Sequence, residues 1–342
     1  MPLVIAVLLC GLVAVMLLAT TIGAAGIPLS RLFAALGFHH LADGPMLARD
    51  QLVLWSIRIP RIAVAAIIGA MLAVSGAIMQ GLFRNPLADP ALVGVSSGGA
   101  LAAAATIVIS DSAWAMNYQF LQPGLLPFAA FAGSLLTTII LYRIASREGR
   151  TSVALFLLAG LAIAALANAG IGLLVFVADD RQLRDITFWL LGSLSGATWP
   201  KAATILPIVV LGLLAIPLIA RGLDVLALGE SEAFHSGVDV ERLKKICIVL
   251  VSAMTGAAVS ICGVVGFVGI VVPHLLRLVI GPGHRLLLPA SALLGAILMI
   301  AADTVARVLA APAEVPVGIL TAAFGAPFFL YILLRQRALV GQ

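Results

Sequence analysis

Charge is what this sequence has least of. Asp, Glu, Lys and Arg make up 10% of its 342 residues, against about 25% in a soluble domain. Hydrophobic residues make up 62%, and mean hydropathy is +1.18. Uncharged apolar runs of about 18 residues or more recur throughout, which excludes one large soluble core and implies a polytopic membrane protein. Cysteine is nearly absent. Cys10, Cys247 and Cys262 sit in apolar runs without C-x-x-C spacing, which argues against a disulfide framework or a zinc site. No G-x-x-x-x-G-K-[ST] loop occurs, so ATP cannot be bound in that mode. H-E-x-x-H and G-x-S-x-G are missing too, and His39, His40, His235, His274 and His284 do not cluster. The expectation is a chain that is not an enzyme and holds no catalytic residue, cofactor or metal of its own. The net charge of +5 is read as a topology signal and not as a nucleic-acid surface. The N-terminus lacks a basic stretch, and its apolar run from Leu3 extends past Leu18 through Thr20 and Thr21. It reads as a retained first span rather than a cleaved signal.

What is present is organised around Arg58 to Ala100. Two arginines and a proline precede an uncharged run from Ile62 to Phe83, which ends at Arg84-Asn85-Pro86 and gives way to Pro90 and Gly94, Ser96, Ser97, Gly98 and Gly99. Broken backbone at membrane depth is tolerated only inside protein or beside water. This span is therefore expected to enter a protein core. Ten spans are predicted, near 3–24, 62–83, 92–110, 124–145, 153–176, 203–220, 244–264, 266–280, 287–310 and 316–334. An even number puts both termini on one side, and the richer set of Lys and Arg on that side makes it cytoplasmic. The whole of 1–342 reads as one transmembrane domain.

Three connections are more than turns. Residues 25–60 form a long external segment. Residues 178–200 are long enough to hold a short surface helix with Phe188, Trp189 and Trp199 at interfacial depth, or simply an aromatic belt. Residues 221–245 are the most polar stretch, yet Leu223, Val225, Leu226, Leu228, Ala233 and Phe234 give it an apolar side. Two readings stand for it: a short helix between Gly229 and Gly237 that docks on a partner, or a plain loop. Ala73-Val74-Ser75-Gly76 and Ala258-Val259-Ser260-Ile261-Cys262-Gly263 each precede a Gly/Pro-interrupted segment. Paired interruptions in opposite directions are a mark of inverted repeats. His274 reads as structural. Asp303 is the acid deepest in a span, with Arg307 one helical turn along the same face, and the pair reads as structural near the external surface. No chain of buried acids supports a proton-coupled carrier.

These motifs occur in a telling order: RIPR (58–61), AVSG-x-x-x-QG-x-x-RNPLADP-x-x-x-GVSSG (73–98), LGSL (191–194), ALGE-x-x-A-x-x-x-G (227–237), GFVGIVVPHLLR (266–277), DTVAR (303–307) and PVGILTAAFGAPFFLYILL (316–334). Over nearly its whole length the chain resembles the membrane permease subunits of ABC importers for iron-siderophores, haem and cobalamin. The resemblance implies an all-α fold of about ten spans with an inverted repeat. It implies a homodimer in the bacterial inner membrane, two separate ATP-hydrolysing subunits holding Mg-ATP, and one periplasmic binding protein. Gly229, Glu230, Ala233, Phe234 and Gly237 would form the helix that couples to the ATPase. Arg58, Arg61 and Arg307 would be exposed cations that dock the binding protein. Thr151 and Ser152 would form the cytoplasmic gate. The NPLADPALVGVSSGGALAA and QLRDITFWLLGSLSGATW runs resemble haem permeases most. With haem as cargo, small residues such as Ala65, Ala66, Ala73 and Gly76 would line the path, and Arg181 and Arg184 would meet the propionates. A ferric siderophore or cobalamin is the alternative cargo, and a secondary carrier independent of ATP the remote one.

Overall fold

In a computed structural model, residues 2–23, 27–37, 45–90, 94–110, 122–147, 150–311 and 313–340 are described. His39, His40 and residues 111–121 of the external connections lie outside them. Among the described residues the regular structure is helical but for one hairpin, β1 (Ser146–Arg147) and β2 (Arg150–Thr151), which pairs Ser146 with Thr151. Each expected span coincides with a helix: α1 (Pro2–Thr21), α4 (Ile59–Leu82), α5 (Val95–Ser110), α6 (Gln122–Ala145), α7 (Val153–Val177), α9 (Trp199–Leu226), α11 (Val240–Cys262), α12 (Val268–Ile280), α13 (His284–Leu309) and α14 (Val317–Val340). Seven of these helices are long and apolar enough to cross a membrane, while α5, α12 and the apolar part of α14 are shorter.

Four further helices lie in the connections. α2 (Leu29–Ala35) and α3 (Pro45–Val53) occupy the segment read as a long external connection, and α3 runs through one π turn, Leu54–Arg58, directly into α4. The second span is therefore the end of a single helix from Met46 to Leu82. Pro60 has no N–H to give to a helical ladder, and the wider turn before it, with Ile59 N–H bonded to the Leu54 carbonyl, lets the helix continue. α8 (Asp180–Leu191) is the surface helix for which 178–200 had room. It begins with a capping box, Asp179 receiving the N–H groups of Arg181 and Gln182, which satisfies donors that the first turn leaves orphaned. α10 (Glu230–His235) lies between Gly229 and Gly237. α9 extends to Leu226, beyond the expected end near 220, because Leu223 and Leu226 are buried.

α4 is the centre of the bundle. Over its most apolar window 83% of residues are buried, and it packs on α13, α11, α12 and α9. Lipid supplies no hydrophobic drive between helices, so close backbone approach is the main source of attraction. Gly69 and Gly295 face each other so closely that a methyl on either would overlap the opposite carbonyl, and a methyl on Gly76 would overlap the carbonyl of Gly269. Of the small residues expected to line a path, Ala65 and Ala73 have no exposed surface and Ala73 lies against Gly295, while Ala66 is partly exposed. The two interrupted segments also meet at α4. Leu72, Asp89, Pro90, Val265 and Gly269 surround one small void, and Gln80 Nε2 donates to the Gly269 carbonyl at 3.0 Å. Broken backbone thus ends inside protein, as the membrane demands.

α4 and α13 are antiparallel, which sorts the ends of the molecule. At one end Arg61 of α4 meets Asp303 of α13. At the other, Gly81 of α4 lies against His284 of α13, and His284 also bonds Asp224 of α9 through its N–H and Nδ1, both at 2.7 Å.

Candidate functional site

The arginine end is built from the start of α4, the ends of α1 and α13, and the short segment before α14. Arg61 uses its whole guanidinium fork. Nε lies 3.0 Å from both oxygens of Asp303 and Nη2 lies 2.8 Å from Oδ1, while Nη1 lies 2.9 Å from both oxygens of Glu314. Arg307 Nε lies 3.3 Å from Asp303 Oδ2, the ion pair read from the sequence, and Nη2 donates to Thr304 Oγ1 at 3.2 Å. Arg58 Nη1 donates to the Thr20 carbonyl. These three cations were expected to stand exposed, but Arg58, Arg61 and Arg307 are 4, 6 and 9% exposed. The cause is local: the end of α1 and Gly23 cover Arg58 and Arg307, and Glu314 sits on Arg61.

Arg181 and Arg184 lie at the same end, on α8, and both are exposed. α8 is held by Ile186, which is buried, and by Gln182 Nε2 donating to the Val108 carbonyl at 3.5 Å. Trp199 donates its ring N–H to the Trp55 carbonyl at 2.9 Å. The two α8 arginines are not joined to the arginine cluster by any bond described.

The opposite end holds the remaining candidates, and here they converge. A cleft of about 840 Å³ is lined by Thr151, Ser152, Glu230, Phe234, Gly237, Glu241 and Lys244. Gly229 and Gly237 have φ of +134° and +79°, a region that favours glycine, and they bound the six-residue α10. Phe234 is 73% exposed, whereas Ala233 is 0% exposed. Ala233 was expected to face a partner beside Phe234; it instead anchors α10 on the chain's own core, because adjacent helical positions cannot share a face. Ser152 caps α7, accepting from Leu155 N at 3.3 Å. Thr151 is 6% exposed and its Oγ1 lies 2.9 Å from Ser146 Oγ across the hairpin.

Two residues of this cleft were not singled out in the sequence. Lys244, with 3% of its side chain exposed, lies 3.0 Å from Glu230 Oε1 and 3.0 Å from Glu241 Oε1, and donates to the Thr151 carbonyl at 3.1 Å. Glu241 Oε2 in turn accepts from Thr151 N at 3.0 Å. A lysine and a glutamate one turn apart at the start of an apolar helix were the available signal. His274, read as structural, packs edge-on to Phe328 with centroids 6.0 Å apart.

Residues 11–335 match the FecCD transport family. The chain is 48% identical over 291 residues to the hemin transport system permease protein HmuU of Yersinia pestis, covering 82% of this chain and 83% of that protein. It is 47% identical over 287 residues to the cobalamin import system permease protein BtuC of Halobacterium salinarum, covering 84% and 74%. To the vitamin B12 import system permease protein BtuC of Vibrio cholerae it is 40% identical over 293 residues, covering 84% of each. Among solved structures, a chain of a metal-chelate type ABC transporter in an inward-facing conformation superposes with a TM-score of 0.84 at 30% identity, covering 98% of this chain and 100% of that one.

Proposed function

The chain belongs to the FecCD transport family, as a transmembrane permease of an ABC importer, and on that premise we propose that its cargo is haem, moved inward across the bacterial inner membrane by ATP that a separate subunit hydrolyses. On this reading the chain is not an enzyme, and Mg-ATP belongs to two partner subunits docked below a homodimer. The observation that carries the architecture is the cleft at one end. It sets an exposed Phe234 on a glycine-bounded helix beside Thr151 and Ser152. A chain that works by contact needs both a surface for the motor and a gate within reach of it. α10, with Gly229, Glu230, Phe234 and Gly237, is that surface, Ala233 its anchor, and the hairpin root at Thr151 and Ser152 the gate.

The binding protein docks at the other end, over Arg58, Arg61 and Arg307, with both termini on the cytoplasmic side. Basic residues at this end would favour an acidic partner and speed its approach more than they tighten binding. Haem offers two carboxylates, and Arg181 and Arg184 lie exposed at that end to meet them.

A second cargo is favoured by a specific observation: the cobalamin relative is 47% identical, level with the hemin relative at 48%. The test is uptake into vesicles by the reconstituted complex, with the binding protein loaded in turn with haem, cobalamin or a ferric siderophore. Haem uptake with no cobalamin uptake is expected. Cobalamin or siderophore uptake without haem uptake overturns the cargo and leaves the importer standing.

A further inference from the structure

Lys244 is buried, and its ammonium has three protons to place. All three have partners, and the partners belong to three different elements. One is Glu230, the first residue of α10, at 3.0 Å. One is the carbonyl of Thr151 in β2, at 3.1 Å. One is Glu241 in the first turn of α11, at 3.0 Å. Glu241 closes the circuit, because its second oxygen receives Thr151 N at 3.0 Å. The Thr151 peptide is therefore held on both sides by α11, and the ion that holds it also holds α10. Thr151 is followed by Ser152, which caps α7, so a shift of that peptide moves the start of α7.

We propose that Lys244, with Glu241, is the positioning pair that transmits movement of α10 to the Thr151–Ser152 gate. The proposal rests on the reading of α10 as the motor contact and of Thr151 and Ser152 as the gate. The physical reason is the cost of leaving a buried ammonium unpaired. When α10 is displaced, Glu230 leaves and Lys244 must follow it or find a substitute, and either outcome loosens its hold on the Thr151 carbonyl. The two glutamates are half-exposed and partly exposed, at 49 and 26%, so they move at lower cost than the lysine. Two packed arrangements of one ion are what a coupling element requires.

The test uses the full complex of permease, ATPase and binding protein in vesicles. Lys244→Met is expected to raise the ATP hydrolysed per cargo molecule about tenfold, within the usual range of coupling between sites, and Lys244→Arg to restore most of the ratio. Glu230→Gln changes a half-exposed side chain and weakens only the α10 arm, leaving a neutral hydrogen bond where there was an ion pair; it is expected to raise the ratio by several-fold. A second readout does not depend on cargo. With Cys10→Ser and Ser152→Cys, the rate of labelling by a water-soluble maleimide is expected to change on adding ATP when Lys244 is present, and to stop changing in Lys244→Met. Wild-type ratios in Lys244→Met or Glu230→Gln, or an ATP-responsive labelling rate in Lys244→Met, overturn the relay. Failure of the underlying reading shows differently: Phe234→Asp permease would then still retain the ATPase and transport normally.

Discussion

Arg61 and Asp303 show how much a residue's role depends on what covers it. From the sequence, Arg61 is one of three cations at a span end; in the fold it is an ion held by two carboxylates with 7% of its side chain exposed. Breaking a buried pair by removing one partner costs about 3–5 kcal/mol. Arg307 remains 3.3 Å from Asp303, so Arg61→Leu is expected toward the lower end of that range, read as a fall in the unfolding midpoint in mixed micelles. Arg181→Leu and Arg184→Leu, on the exposed face of α8, should leave that midpoint nearly unmoved. A midpoint no lower in Arg61→Leu than in the α8 variants would mean the cluster contributes nothing. Glu314 has a different consequence. Its carboxylate occupies Arg61 Nη1, where an acid on a docking protein would bind. Glu314→Gln is therefore expected to raise the association rate of the binding protein several-fold at low salt, measured by stopped flow. An equal rate in both proteins would take Arg61 out of the docking surface.

At the scale of elements, α10 is six residues long, too short to be a stable helix alone. Two glycines with positive φ, the buried Ala233 and the Glu230–Lys244 ion pair hold it in place. That leaves Phe234 as a large apolar ring in the open at the end of the bundle where polar loops gather. Phe234→Asp would bury a charge in any groove that receives the ring, at a cost of several kcal/mol. The expected outcome is loss of ATPase subunit from the purified complex and loss of ATP-driven uptake, with the permease still folded. Normal retention and uptake would return this connection to a plain loop. α4 is the opposite case. Of its expected path residues, Ala65 and Ala73 are buried in packing and Gly76 is spent on backbone contact with Gly269, while Ala66 keeps some exposed surface.

The whole molecule is two-ended. The arginine cluster lies at one end and the Thr151–Lys244 cleft at the other, and α4, which runs between the ends, is about 36 Å long at 1.5 Å per residue over its 24 residues. Sorting of basic residues by the ten-span topology is the basis on which we propose that the cleft end is cytoplasmic. A phosphatase that works only outside the cytoplasm, fused after Gln342, is expected to be inactive, and the same fusion in the loop after Val177 to be active. The reverse pattern would exchange the partners proposed for the two ends.

Run length and charge are local quantities, so the sequence alone determined the membrane class, the places of the ten apolar helices and the room for α8, while it left 229–237 open between a short helix and a plain loop. Order along the chain sufficed as well for the motifs that resemble the permease family. Burial is not local. Nothing near Arg61 in sequence announces Asp303, 242 positions away, and nothing near Lys244 announces Thr151, 93 positions away. Only the packing of α13 on α4, and of the β1–β2 hairpin and α10 on α11, decided which cations are covered and which groups share one ion. An uncharged run specifies that a helix enters the membrane, but an ion inside the bundle is stable only where other helices bring its partners, and that is a property of the assembled fold.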